Sequence, residues 1–233
     1  MKQILYTVFA LLTGCMYTGC SKEEIELYEQ TPRLNFNWES KTLYLDDEDY
    51  LENASFYVDS FEVRIQGDLL KEQRTLCVKA VTKADYKTSP EITFEDNYVY
   101  TNLDKATQIF YFKVKRPEVI EFGNKIYGCT LQFDQENPKH QFDRGLVENQ
   151  QLSFAVVWDI QPNEDDWHDW YWGEYSNTKY MYMMDVCGIT IKEMNGESGY
   201  DDYDDYDKVV AAYNEYLLNN PPLVDENGNE IQF

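Results

Sequence analysis

Between residues 32 and 160, apolar side chains return at every second position, and this period of two constrains the chain more than any other feature. Phe61, Val63 and Ile65 alternate with Glu62, Arg64 and Gln66, and Phe110, Phe112 and Val114 alternate with Tyr111, Lys113 and Lys115. Leu76, Val78 and Ala80, then Ile92 and Phe94, then Tyr127, Cys129, Leu131 and Phe133 continue the rhythm. Its clearest form is Leu152, Phe154, Val156, Trp158 and Ile160, with Gln151, Ser153 and Asp159 facing the other way. Successive strand residues point to opposite sides of a sheet, so each run buries one face and wets the other. Gln66-Gly67-Asp68, Ser89-Pro90 and Asn137-Pro138 supply turns between the runs. The pattern predicts an immunoglobulin-like antiparallel β-sandwich over residues 32–160, mainly β in class. The 20 tyrosines suit pleated, half-buried surfaces.

After Ile160 the period changes. Residues 161–175 are acidic and aromatic. Ser176 then stands where an N-cap belongs, with Tyr180, Met183, Met184 and Cys187 at helical spacing and Gly188 placed to stop the helix. A second helix is expected to start within Asp204 to Asp207 and to carry Val210, Tyr213 and Leu217 on one face. Asn219-Asn220-Pro221-Pro222 ends it, and the tail from Asp225 to Phe233 reads as a turn or short hairpin. Residues 161–233 thus form an aromatic and acidic loop, two short helices and a tail beside the sandwich.

The first thirty residues carry an address. Met1-Lys2 precedes an apolar run from Ile4 to Thr13, too short to span a bilayer but suited to a signal-peptide core. Gly14-Cys15 and Gly19-Cys20 follow, each a small residue before a cysteine, as at the cleavage site of a bacterial lipoprotein. Cys15 has the better box, with Leu12 upstream; Cys20 has the better downstream context, the polar run Ser21-Lys22-Glu23-Glu24-Ile25-Glu26. The expectation is a signal peptide over 1–19, lipidation at Cys20 and a tether over 20–31. The protein would then be held on the membrane by its lipid. With 43 acidic against 20 basic residues the chain has a formal charge of -23, which excludes nucleic acid as a partner. It also argues against electrostatic adhesion to anionic lipid.

Cys77, Cys129 and Cys187 are far apart, odd in number and flanked by apolar residues, so free buried thiols are expected rather than a disulfide. Gly196-Glu197-Ser198-Gly199 is one residue short of a nucleophile elbow and reads as a polar turn. His140 and His168 are the two histidines, which excludes a three-histidine zinc site. Asp46-Asp47-Glu48-Asp49 and the acidic run from Asp201 to Asp207 lack the glycine and terminal glutamate of a calcium loop, so no metal or cofactor is expected. The 43 acids could supply a hydrolase pair, but with no specific spacing.

The most informative local feature is Trp167, Trp170, Tyr171, Trp172 and Tyr175 within nine residues. Flat rings beside carboxylates and amides suit a sugar or peptide, and also suit anchoring at a protein interface. Trp172 is expected in a small core. Trp167 and Trp170, with His168 and Asp169 between and beside them, are the expected ligand-binding residues.

The leader ending Cys-Ser-Lys-Glu-Glu-Ile-Glu-Leu-Tyr, the opening Asp59-Ser60-Phe61-Glu62-Val63-Arg64-Ile65-Gln66-Gly67, the box from Trp172 to Met183 and the Asn-Pro-Pro-Leu-Val-Asp-Glu-Asn-Gly-Asn tail together resemble one family. These are the uncharacterised surface lipoproteins of Bacteroidota, a domain of unknown function encoded beside SusC/SusD-like nutrient-uptake systems. The resemblance implies an outer-membrane, cell-surface lipoprotein with an Ig-like domain. Its implied role is a non-enzymatic accessory of glycan or peptide uptake, partnered by a SusC/SusD-like transporter complex. It supplies no catalytic residue. A structural or docking subunit of that complex is the alternative, and a glycan hydrolase a more distant one.

Overall fold

The computed structural model describes residues 31–120, 126–162, 165–195 and 203–233. Cys15, Cys20, the signal peptide and most of the tether, like Ser198, lie outside the described residues. The fold is mainly β. In chain order it runs β1 (Arg33–Phe36), β2 (Ser40–Leu45), α1 (Asp47–Glu52), β3 (Phe56–Gln66), β4 (Arg74–Leu76), β5 (Val78–Thr82), β6 (Ile92–Thr93) and β7 (Tyr98–Tyr100). There follow β8 (Thr107–Lys115), β9 (Tyr127–Phe133), β10 (Asp143–Arg144), β11 (Gln151–Trp158), α2 (Asp169–Trp172), α3 (Asn177–Cys187), α4 (Ile191–Met194) and α5 (Tyr203–Leu217). Among the described residues no helix is long and apolar enough to cross a membrane.

The strands form a five-stranded sheet ordered β10-β1-β3-β8-β6, a four-stranded sheet ordered β2-β11-β9-β5 and a two-stranded sheet, β4-β7. Most of the period-two residues are buried, among them Phe61, Val63 and Ile65 of β3, Phe110, Phe112 and Val114 of β8, and Leu152, Phe154, Val156 and Trp158 of β11, whereas Val78, Ile92 and Phe94 are half-buried and Ala80 is exposed. Their rings join the two larger sheets. Phe36 of β1 stacks on Phe133 of β9 at 4.3 Å, and Phe112 of β8 meets Phe154 of β11 edge-on at 5.2 Å. Such contacts add specific geometry to the burial of large apolar area.

Four details depart from the sequence expectation. The sheets are not purely antiparallel, because β1 pairs with β10 and β2 with β11 in parallel. The chain leaves one sheet after Phe36 and enters the other at Ser40, so consecutive short strands join different sheets, β1 between β10 and β3 and β2 at the edge beside β11. The run from Leu76 to Ala80 is also not one strand. At Cys77 the backbone N–H donates to His140 Nδ1 at 3.0 Å instead of to a ladder partner, and β4 and β5 part there into separate sheets. The third departure is α1, a helix within the stretch expected to be all β. Asp46 caps it, its carboxylate accepting from the Asp49 N–H at 3.0 Å while Asp49 accepts from the Asp46 N–H at 3.1 Å. The acidic run Asp46 to Asp49 is thus a helix start, where carboxylates satisfy orphan donors and meet the positive end of the dipole. The fourth is a pair of extra helices, α2 ahead of residue 175 and α4 between the two that were expected. Cys77, Cys129 and Cys187 are free thiols.

Gly145 marks a tight approach between the loop after β10 and β1. A Cβ there would stand 1.9 Å from Asn35 Oδ1 and 2.6 Å from the Leu34 carbonyl, and Asn35 Oδ1 is fixed by the Leu146 N–H at 2.8 Å. Gly145→Ala is therefore expected to cost about 2 kcal/mol, lowering the melting temperature by roughly 4–8 °C. Thermal unfolding followed by near-ultraviolet dichroism checks this; an unchanged midpoint contradicts the packing described.

Candidate functional site

The aromatic loop after Ile160 is held from three directions. Trp167 donates its indole N–H to the Gly173 carbonyl at 2.9 Å, and its ring meets Tyr175 edge-on at 5.0 Å and Tyr180 at 6.1 Å. Asn195, capping the end of α4, donates its Nδ2 to the Asp166 carbonyl at 2.9 Å. The Tyr175 hydroxyl lies 2.6 Å from Asn177 Oδ1 and 3.2 Å from the Ile160 carbonyl, tying the loop's far end to the end of β11. Burial pushes the Tyr175 phenol well above its ordinary range, with Glu226, Asp159 and Asp47 adding to the rise.

Between these ties the chain makes one turn of helix, α2. Gly173 ends it with φ +74° and ψ −166°, an extended positive-φ conformation that is open essentially to glycine alone. A Cβ at Gly173 would stand 3.1 Å from Lys179 Nζ. Lys179 of α3, only 4% exposed, donates to the Trp172 carbonyl and lies over the Phe233 ring at 5.1 Å. Burial pulls its ammonium below the ordinary lysine range, against the opposing pull of Asp169 and Glu174.

One turn of helix separates two tryptophans into two environments. Trp172 points inward and is 1% exposed, packed on Tyr171 at 4.9 Å and Tyr206 at 5.5 Å. Trp170 points outward and is 73% exposed. The His168 ring stacks beside it at 5.8 Å with planes 18° apart, and Tyr171 adjoins it at 5.5 Å. Asp169 is exposed next to them. Of the residues expected from sequence, half-buried His168 and exposed Trp170 therefore stack together, with exposed Asp169 between them in the chain, as one ledge at the start of α2. Trp167 is half-buried, with its N–H used inside the protein, and serves as part of the ledge's foundation.

Tyr206, which rests on Tyr171 at 4.9 Å, was not expected at this site. A signal for it exists in the sequence. Tyr206, Val209, Tyr213 and Tyr216 recur at helical spacing, and this stripe, not Val210 and Leu217, is the inner face of α5. Val209 and Tyr213 are buried while Leu217 is 37% exposed, because Tyr182 of α3 and Phe233 receive the tyrosines at 5.1–6.1 Å.

Apart from the ledge, a concavity of about 310 Å³ opens beside α1 and α3, lined by Tyr50, Asn53, Arg116, Met184 and Asp185 among others. Arg116 stands over the Trp158 ring at 4.6 Å and donates to the Asp49 and Tyr50 carbonyls at 2.8 and 3.2 Å and to the Tyr57 hydroxyl at 2.7 Å. It clamps the end of α1, with its positive charge on an aromatic face. Among the described residues no three histidine, cysteine, aspartate or glutamate side chains gather as a metal site.

No family model and no curated protein matches the chain. Solved structures that it resembles include a protein of unknown function from Bacteroides ovatus, at 8% identity and a TM-score of 0.37. That alignment covers 54% of this chain and 44% of the other, so the chain spans less than half the length of that protein.

Proposed function

We propose that the protein is a lipid-anchored, extracytoplasmic binding module, built on an immunoglobulin-like β-sandwich and non-enzymatic, whose Trp170 ledge takes an oligosaccharide or peptide. The observation that carries this reading is a tryptophan 73% exposed on a one-turn helix whose other tryptophan is 1% exposed. Exposing an indole so widely gains nothing for the fold, whereas a rigidly mounted ring offers a ligand a flat apolar face at little entropic cost. His168 stacks beside the ring, and the adjacent, exposed Asp169 offers carboxylate acceptors. The two Gly-Cys pairs after the apolar leader support lipidation at Cys20 and an outer-membrane, cell-surface location. A weak module tethered beside a SusC/SusD-like transporter works through effective concentration, which suits an accessory of uptake.

A single stacked ring contributes on the order of 1 kcal/mol, so affinities from micromolar to millimolar are expected. Calorimetry with neutral oligosaccharides and peptides tests the ledge. Trp170→Ala is expected to weaken binding by about fivefold or more while leaving the fold intact; equal affinity in the variant sinks the assignment. Pull-down from detergent-solubilised outer membranes tests the partner, and recovery of the protein alone contradicts it.

A further inference from the structure

The charges around Trp170 are of one sign. Residues 161–175 contain five acids, Glu164, Asp165, Asp166, Asp169 and Glu174, and no lysine or arginine. Of these acids Asp165, Asp169 and Glu174 are exposed. Lys179 of α3 brings no compensating charge to the surface, being 4% exposed with its ammonium spent on the Trp172 carbonyl. The neighbouring elements do not reverse the sign. α4, tied to the loop through Asn195 and Asp166, carries exposed Lys192 and exposed Glu193, which cancel. The first turns of α5, which meet Tyr171 through Tyr206, carry Asp204, Asp205 and Asp207 against Lys208. At the loop's far end Asp47, Asp159 and Glu226 act on Tyr175 and add to the acidity. An exposed indole in an acidic surround suits a cation, because the ring offers a negative face and the carboxylates accept hydrogen bonds.

We infer, on the reading of the ledge as the ligand site, that it selects a cationic peptide, an arginine side chain laying its guanidinium on the Trp170 ring and donating to the Asp169 carboxylate. A guanidinium is planar and weakly hydrated, so it stacks on an aromatic face while its fork of donors reaches an adjacent carboxylate. The chain already holds one such pair: Arg116 stands 4.6 Å over the Trp158 ring while three hydrogen bonds run from its guanidinium to neighbouring oxygens. A neutral sugar carries acceptors as well as donors, and residues 161–175 offer it no lysine or arginine, whereas a guanidinium carries donors only. An anionic chain meets like charge and is turned away. Peptide is thereby chosen over oligosaccharide at the ledge.

The probe is the blocked tripeptide acetyl-Gly-Arg-Gly-amide. Its controls are acetyl-Gly-citrulline-Gly-amide, whose side chain keeps the shape and loses the charge, and maltohexaose. Each is titrated into the full chain, purified in detergent, while the Trp170 indole N–H signal is followed. The arginine peptide is expected to bind about fivefold or more tighter than either control and to weaken as salt rises. Asp169→Asn is expected to cut that preference about twofold or more, and the exposed control Val147→Ser to leave it unchanged. Far-ultraviolet dichroism confirms that each variant is folded, which solvent-exposed positions permit. Equal affinity for arginine peptide and controls, lost for all of them in Trp170→Ala, overturns the charge selection and leaves the ledge standing. A preference that Asp169→Asn leaves whole, or arginine-peptide binding that Trp170→Ala does not weaken, overturns it as well. When no probe moves the Trp170 signal, the ledge falls together with its selectivity.

Discussion

Between pH 10 and 12 the fold is expected to lose roughly 5 kcal/mol of stability from two tyrosines alone and to unfold cooperatively within that window. Burial pushes the Tyr98 and Tyr100 phenols up to about 12. The Tyr98 hydroxyl donates to the Tyr111 carbonyl at 2.9 Å and the Tyr100 hydroxyl to the Lys105 carbonyl at 3.1 Å, bonds that ionisation destroys. In the unfolded chain both ionise near 10, so above that pH the unfolded state holds fewer protons and stability falls as pH rises. Two pH units at ~1.4 kcal/mol each come to on the order of 3 kcal/mol per tyrosine, against a typical total of about 5–15. Tyr50, Tyr175 and Tyr180 are raised further, first by burial and then by nearby carboxylates, and push the same way. Lys179 acts oppositely over the preceding range. Its folded ammonium is held below the ordinary lysine range, so its burial penalty fades as pH climbs toward about 10.4. Tyrosinate absorbance and far-ultraviolet dichroism should therefore break together, and Tyr100→Phe should move the break to higher pH. A smooth titration of all tyrosines near pH 10 with unchanged dichroism contradicts this.

The second large effect is Trp172→Ala, which is expected to cost about 3–5 kcal/mol. The indole is 1% exposed and supports Tyr171 and Tyr206. The cavity left behind cannot collapse easily, because α2 is pinned by Trp167 to Gly173 and by Asn195 to Asp166. Trp170→Ala, two residues away, should change stability by less than about 0.5 kcal/mol. Urea unfolding of the two variants measures the contrast. Equal losses would mean that Trp170 is a packing residue and the ledge is not free.

How much of this was legible follows from which signals are local. Alternation in β3, β8, β9 and β11 is local, and the residues it marks are the buried ones. The N-cap Ser176, accepting from the Lys179 N–H at 3.1 Å, and the stop at Gly188, with φ +76°, are local too. Sheet membership is not. The parallel pairing of β2 with β11 depends on a partner more than a hundred residues away, and the break at Cys77 depends on His140. The acidic run at Asp46 hid a capping box, since the same carboxylates serve a solvated loop or a helix start. At the ledge, the sequence marked the ring cluster and placed Trp172 inside. It could not separate Trp167 from Trp170, because a four-residue helix is too short to show a period. Tyr206 and Lys179 come from α5 and α3, and only tertiary packing brings them there.

The most direct test of the ledge is to follow the indole N–H signals of the 5 tryptophans by nuclear magnetic resonance while titrating neutral oligosaccharides and short peptides. Trp170 is assigned by its loss in Trp170→Ala. A ligand is expected to move the Trp170 signal saturably, while Trp172, buried, and Trp167, bonded to Gly173, shift little. A ligand that binds while the Trp170 signal stays fixed contradicts this.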